Sequence, residues 1–179
     1  MQITDLVAEL VRDVPPELAG APTPCRDWDV AALTGHLHQV GAALDLAMQG
    51  RPVPAEHWQR PAGAVDFTAL AWDEPPAVVS LGGMEMPGRT VADMLVTDLT
   101  LHGWDLARAL DRPFPVPPDA VTTALTFLGG WAGQGRAMGL FGAPVPVPDD
   151  APPLDRALAL SGRDPAWRFC RTAGLTCRA

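Results

Sequence analysis

The chain has 179 residues, the length of one ordinary domain, so it can bury a core without disulfide or metal staples. Apolar residues make up 47% and charged residues 19%, which excludes a disordered chain. Thirteen basic residues against 21 acidic ones leave a net charge of -8, which repels phosphate backbones and anionic lipid, so neither nucleic acid nor membrane is an expected partner. All the basic residues are arginine, and tyrosine is absent too. Schiff-base chemistry, a P-loop lysine and a tyrosine acid are thereby excluded.

No apolar run reaches spanning length, and the first residues, MQITDLVAELVRD, hold acids where a signal peptide holds lysines. The expected compartment is the cytoplasm. Cys25, Cys170 and Cys177 form no CxxC pair and read as ordinary thiols of a reducing compartment.

Four proline-free stretches are the predicted helices. The first covers residues 3–14, with Ile3, Leu6, Val7, Leu10 and Val14 on one stripe and Pro15-Pro16 as its stop. The second covers about residues 30–49, with Asp29 as N-cap and Gly50 just past its end. A connection of about forty residues follows, far longer than neighbouring antiparallel helices need, so it is a crossover. Within it, residues 78–81, Gly82-Gly83 and residues 84–86 predict a small β-hairpin whose second arm is shortened by Pro87. The third helix covers about residues 91–110 with Thr90 as cap. A short link predicts that the fourth, about residues 119–138, runs antiparallel to it; Gly129, Gly130, Gly133 and Gly135 weaken this helix. A last helical stretch falls at residues 154–160. Neither a repeat nor a second domain is visible, and the fold class is all-α, one domain over residues 1–179.

On the third helix, at about 100° per residue, Val91, Leu95, Leu106 and Ala109 define an apolar stripe within roughly 60° of arc. Asp98, His102 and Asp105 fall inside it. Ionisable groups on an apolar face are costly unless each is paired, hydrogen-bonded or bound to a cation. Asp98 and His102 are four apart and can converge on one ion; a carboxylate and an imidazole at that spacing suit zinc or another divalent transition metal. Two ligands are one short of a usual catalytic site. The second helix can supply the third, because His36 lies roughly 70° from the centre of its apolar stripe. His38 lies roughly 130° away beside Asp45 and Gln49, which makes it a solvated surface residue. His57, beside Trp58 in the crossover, reads as a loop residue. The residues alone point first to a metal-free Asp–His pair in the core, with His36 capping or hydrogen-bonded nearby, and leave the metal site as the alternative.

The segment TPCRDWDVAALTGHL, residues 23–37, resembles the Thr-Pro-Cys, Trp and Leu-x-x-His pattern of the actinobacterial maleylpyruvate isomerase N-terminal-domain family, within the DinB/YfiT-like superfamily. DLTLHGWDLARAL, residues 98–110, resembles its acid-x-x-x-His-x-Trp-Asp-Leu-Ala signature, and FGAPVPVPDDAPPLDRALALSGRDPAW is similar to the tail of its single-domain members. The resemblance implies a DinB-like four-helix bundle with a long crossover between helices 2 and 3. It also implies a divalent metal, commonly zinc with nickel or iron(II) as alternatives, held by His36, Asp98 and His102. The chain departs from that family in having Asp98 where Glu is frequent, and in a crossover over residues 50–72 that is short of helical material. In this setting Asp105 is an acceptor behind the ligands or an anchor of its helix rather than a fourth ligand. Trp28 staples the second helix and Trp104 packs. Cys25 belongs to the turn before that helix, whose dipole could lower a thiol pKa, and Arg108 is a surface residue rather than a contact for an anionic substrate.

Superfamily relatives include isomerases and transferases that use mycothiol or bacillithiol. The expected function is therefore metal-dependent thiol transfer or isomerisation of a small-molecule substrate, with mycothiol as cosubstrate. The alternatives are a metal-dependent hydrolase or lyase that generates hydroxide, with Asp105 as the one candidate base on the stripe, and a metal-binding interaction protein without turnover.

Overall fold

In the computed structural model, which describes residues 2–169 with Thr176 and Cys177, the N-terminal helix α1 spans Ile3–Arg12. Asp5 accepts the Gln2 backbone N–H at 2.6 Å, and Ile3, Leu6, Val7 and Leu10 are buried. The helix stops two residues short of Val14, because the residue before a proline is driven out of helical geometry and Pro15-Pro16 follow. Helix α2 spans Val30–Met48, and the Asp29 carboxylate accepts the Ala32 N–H at 2.8 Å as its N-cap.

The crossover is pinned down rather than loose. It contains 3₁₀ turns at Ala55–Gln59 and Phe67–Ala69 and an antiparallel hairpin of strands β1, Val78–Leu81, and β2, Met84–Pro87. The Gly82-Gly83 turn has φ of 60° and 84°, the double left-handed geometry that a two-residue hairpin needs. Pro87 does not shorten the second arm, since it pairs with Val78 at the hairpin's edge. Val53 runs beside β1, donating to the Ser80 carbonyl and accepting from Gly82. Phe67, only 2% exposed, drives the preceding loop into the core beside α1.

Helix α3 spans Gly88–Ala109 and starts three residues before the expected Val91, directly from the hairpin, so Thr90 is an interior residue rather than its cap. It packs against α1, α2 and α4. As a result, residues 99–107 are all buried, and the single stripe read from the sequence is one part of a helix enclosed round its circumference. Its buried hydroxyls are satisfied internally: Thr97 and Thr100 donate to the carbonyls of Asp93 and Val96 at 2.7 and 2.8 Å. Helix α4, Pro118–Ala137, begins with proline at its first position, where the missing N–H costs nothing. Helix α5, Pro153–Leu160, packs on α4. One core joins Leu33, Leu37 and Leu44 of α2 to Leu95, Leu99 and Leu106 of α3, with Leu128 and Leu158 closing it. Arg168–Phe169 pairs with Thr176–Cys177 as two short strands, β3 and β4. Cys170 lies outside the described residues, and the side chain of Cys177 is likewise not described. No helix among the described residues is long and apolar enough to cross a membrane.

Candidate metal centre

Because α2 lies directly on α3, His36 meets Asp98 and His102 across the helix pair. The Asp98 carboxylate sits between the two imidazoles, with Oδ2 3.4 Å from His36 Nε2 and Oδ1 3.3 Å from His102 Nε2. One donor atom from each of the three residues lies within 4.8 Å of the others. The two rings meet edge-on, with centroids 4.9 Å apart. A carboxylate oxygen faces an imidazole nitrogen favourably only through a proton or a cation, so each Nε2 holds one or the other. Two imidazole nitrogens and one carboxylate form a donor set that fits zinc and its divalent transition-metal neighbours.

The other nitrogen of His102 is committed to the protein interior. Its Nδ1 lies 3.0 Å from Oδ2 of Asp105, which is fully buried. Arg163 grips the same carboxylate with both arms of its fork, Nε donating to Oδ1 at 2.9 Å and Nη2 to Oδ2 at 2.7 Å. A carboxylate behind a histidine in this way is the usual device that fixes the ring of a metal-ligating imidazole. Burial opposes the charge of both acids, yet both are held below the usual carboxylate range: Asp98 by hydrogen bonds from His102 and His36, Asp105 chiefly by the Arg163 guanidinium. Burial also opposes a charged His102, but Asp105 and Asp98 outweigh it and raise its pKa.

Two tryptophans wall the trio. The Trp28 ring lies 4.4 Å from the His36 ring and 5.1 Å from that of His102, and Trp58 lies 6.1 Å from His36. Trp58 is held there by Gln39, whose Nε2 donates to the carbonyls of Trp58 and Arg60 at 3.2 and 2.7 Å. His57 adds a bond from Nε2 to the Gln39 carbonyl at 2.7 Å, so this loop histidine secures the wall rather than joining the trio. Asp98 keeps 32% of its side chain exposed and His36 15%, so the centre opens to solvent on that side.

Over 170 residues the chain is 31% identical to the uncharacterized protein Rv0738 of Mycobacterium tuberculosis (strain ATCC 25618 / H37Rv), covering 89% of this chain and 92% of the relative. The uncharacterized protein MT0763 of Mycobacterium tuberculosis (strain CDC 1551 / Oshkosh) matches with the same identity and coverage. This chain belongs to the family of these two mycobacterial proteins. Neither name states an activity. No family model and no solved structure matches the chain.

For this family member the remaining candidates fall in varied places. His38 is not a solvated residue: the crossover folds over it, its Nδ1 accepts the Val65 N–H at 3.2 Å, and its ring lies 5.5 Å from that of Phe67. Burial lowers its pKa. The turn before α2 is organised by Thr23, whose hydroxyl lies 2.9 and 2.8 Å from the carbonyls of Cys25 and Trp28. Cys25, a free thiol, forms a second close group with His102 and Asp105. That group does not fit a metal, because the two partners already bond each other and Arg163. Burial and the nearby Asp105 charge push the Cys25 thiol up to about 11, the reverse of activation by a helix dipole. Trp104 is buried in the packing with the Arg108 guanidinium 6.0 Å from its ring centroid, and Arg108 donates to the Arg112 carbonyl at 3.0 Å.

Arg163 and Trp58 are the site residues that sequence reasoning does not find. A buried Asp105 in a chain without lysine has to meet an arginine, a histidine or a metal, but nothing local says which of thirteen arginines. Trp58 carries no periodic signal because it stands in a short 3₁₀ turn of the crossover, too brief to show a period.

Proposed function

We propose that His36, Asp98 and His102 bind one divalent metal ion, most favourably zinc, in a DinB-like four-helix bundle formed by α1 to α4. On this reading the protein is a thiol-dependent transferase or isomerase of the maleylpyruvate isomerase-like type, acting on a small electrophilic substrate with mycothiol as cosubstrate. The convergence of the three donor atoms beside a solvent-exposed edge carries this reading. A bound divalent ion supplies Lewis acidity that favours thiolate over thiol near neutral pH.

The chain's own residues fit that division of labour. His36 and Asp98 stand at the open side with part of their side chains exposed, while Asp105 and Arg163 hold His102 from behind. Trp28 and Trp58 offer flat apolar walls on which the carbon skeleton of a substrate can lie. Hydrolysis is the less favoured alternative, because Asp105, the base it calls for, is already occupied by Arg163 and His102 and has a depressed pKa. Thiol transfer asks for no protein base.

The test is spectroscopic. The cobalt(II)-loaded protein should develop a thiolate-to-metal charge-transfer band when mycothiol is added, and should then either deplete the thiol by forming a lasting C–S bond with a small electrophile, as a transferase, or convert maleylpyruvate to its trans isomer with the thiol returned unchanged, as an isomerase. Cobalt binding with no such band overturns the thiol reading and leaves a metal-binding protein of another kind.

A further inference from the structure

We propose that Arg163 is a positioning residue for the metal centre, acting through Asp105 to hold the His102 ring with Nε2 turned toward Asp98 and His36. The inference rests on the metal reading only for the consequence it has on affinity; the positioning itself concerns contacts within the chain.

Arg163 comes from far away, 58 residues beyond Asp105, and is delivered by the turn after α5. That turn is built to aim one side chain inward. Gly162 has φ of 85°, and a Cβ there would come within 2.6 Å of Gly142 Cα. The Arg163 N–H donates to the Leu158 carbonyl at 2.9 Å, and Arg136 Nη1 donates to the Leu160 carbonyl at 3.1 Å, so the end of α5 is fixed from two sides. The guanidinium then spends its donors inside the protein: Nε and Nη2 on Asp105, Nη1 on the buried Ser161 hydroxyl at 3.1 Å. Only 10% of its side chain is exposed.

The decisive detail is that Arg163 Nη2 and His102 Nδ1 share Oδ2 of Asp105. Fixing that oxygen fixes the acceptor that orients the imidazole, so the C-terminal segment reaches the centre through two hydrogen bonds in series. A purely electrostatic role predicts the opposite sign. The guanidinium lies 3.3 Å from His102 Nδ1, and a fixed cation so close disfavours a second cation on the same ring. Deleting Arg163 would on that account strengthen metal binding, whereas loss of positioning weakens it.

The experiment combines cobalt(II) affinity with NMR of the metal-free protein in the wild type, Arg163→Gln, Asp105→Asn and the double variant. The wild type should show a slowly exchanging His102 Nδ1–H resonance, assigned by its loss in His102→Ala. Arg163→Gln should lose that protection and bind cobalt(II) about 10–100-fold more weakly, the usual effect of removing a partner behind a ligand. Adding Arg163→Gln to Asp105→Asn should change affinity no further, because the arginine acts through the carboxylate. Wild-type affinity with a retained resonance overturns the proposal even if thermal stability falls, and so does tighter binding. Should Arg163→Gln fail to fold, the double variant removes both buried charges together, and its comparison with Asp105→Asn decides the same question. If the wild type takes no cobalt(II), the metal reading fails by itself. The Nδ1–H resonance then decides the positioning: its loss in Arg163→Gln supports it and its retention overturns it.

Discussion

His102 Nδ1 stands 3.0 Å from Asp105 Oδ2, and this contact settles which nitrogen of the ring is left for other partners. A carboxylate oxygen at that distance requires a proton on the nitrogen, so Nε2 is the atom turned toward Asp98 and His36. The arrangement found in zinc-binding histidines is thus present in the chain's own contacts, and it has measurable consequences.

Protein purified without chelator should carry about one divalent ion per chain by elemental analysis. Removing the ion should lower the melting temperature, and restoring zinc at about a hundred times its dissociation constant should return roughly 2.7 kcal/mol. A metal-free preparation whose melting is indifferent to both chelator and zinc would sink the centre.

The histidines of α2 should separate cleanly. His36→Ala removes a donor atom and should abolish stoichiometric metal binding. His38→Ala should leave metal content unchanged and cost about 1 kcal/mol, the net worth of its bond from the Val65 N–H. Metal titration and urea unfolding of both variants check this, and equal metal loss in the two would contradict the geometry.

Breaking the buried ion pair from the acid side should be severe. Asp105→Ala strands the Arg163 charge in the interior and should cost about 3–5 kcal/mol in urea unfolding. Asp105→Asn keeps an acceptor and should cost less. The reverse order would mean that the carboxylate is not what the guanidinium needs.

Stability of the metal-free protein should peak on the acid side of neutrality. Folding raises the pKa of His102, so its contribution is complete below the ordinary histidine value of about 6.5 and is lost as pH climbs through the folded-state value. Folding lowers the pKa of Asp98 and Asp105, so theirs is present above about 4 and is lost as pH falls toward the depressed values. Calorimetry in chelator should therefore show the melting temperature falling as pH climbs above the ordinary histidine value of about 6.5, where the opposite contribution of His38, whose pKa burial lowers, is already complete. A steady rise over that span would be incompatible with His102 gaining its partners on folding.

Gly162→Ala should be unfavourable by about 1–3 kcal/mol, since it places a Cβ at positive φ against Gly142. Melting of the variant checks the magnitude. Because the same turn aims Arg163, cobalt(II) affinity should fall with it, whereas Gly129→Ala, with open space around its Cβ, should leave affinity as it is.

The elements are legible in the sequence because their signals are local. Asp29 caps α2 where expected, Pro15-Pro16 end α1, and Gly82-Gly83 make the hairpin turn, each through backbone chemistry that reaches only a few residues. The trio of His36, Asp98 and His102 is legible for a related reason: helical angle alone turns them inward on two helices, and one helix contact brings them together. The start of α3 is misread because Gly88 follows directly from the strand, so no polar cap marks it.

What the amino-acid order could not show are contacts between segments distant in the chain. His38 looks solvated by angle on α2, and only the folding of the crossover puts Val65 and Phe67 over it. Cys25 reads from the sequence as an ordinary thiol of the turn before a helix whose dipole could lower its pKa, and only the enclosing structure removes water from the thiol and puts Asp105 nearby, which raises it instead. Asp105 plainly required a partner, but Arg163 lies 58 residues on, behind a glycine turn whose direction is set by packing against Gly142. Composition and helical period determined that a charged group would be buried on α3; the return of the chain after α5 decided what neutralises it, because long-range pairing has no period to read.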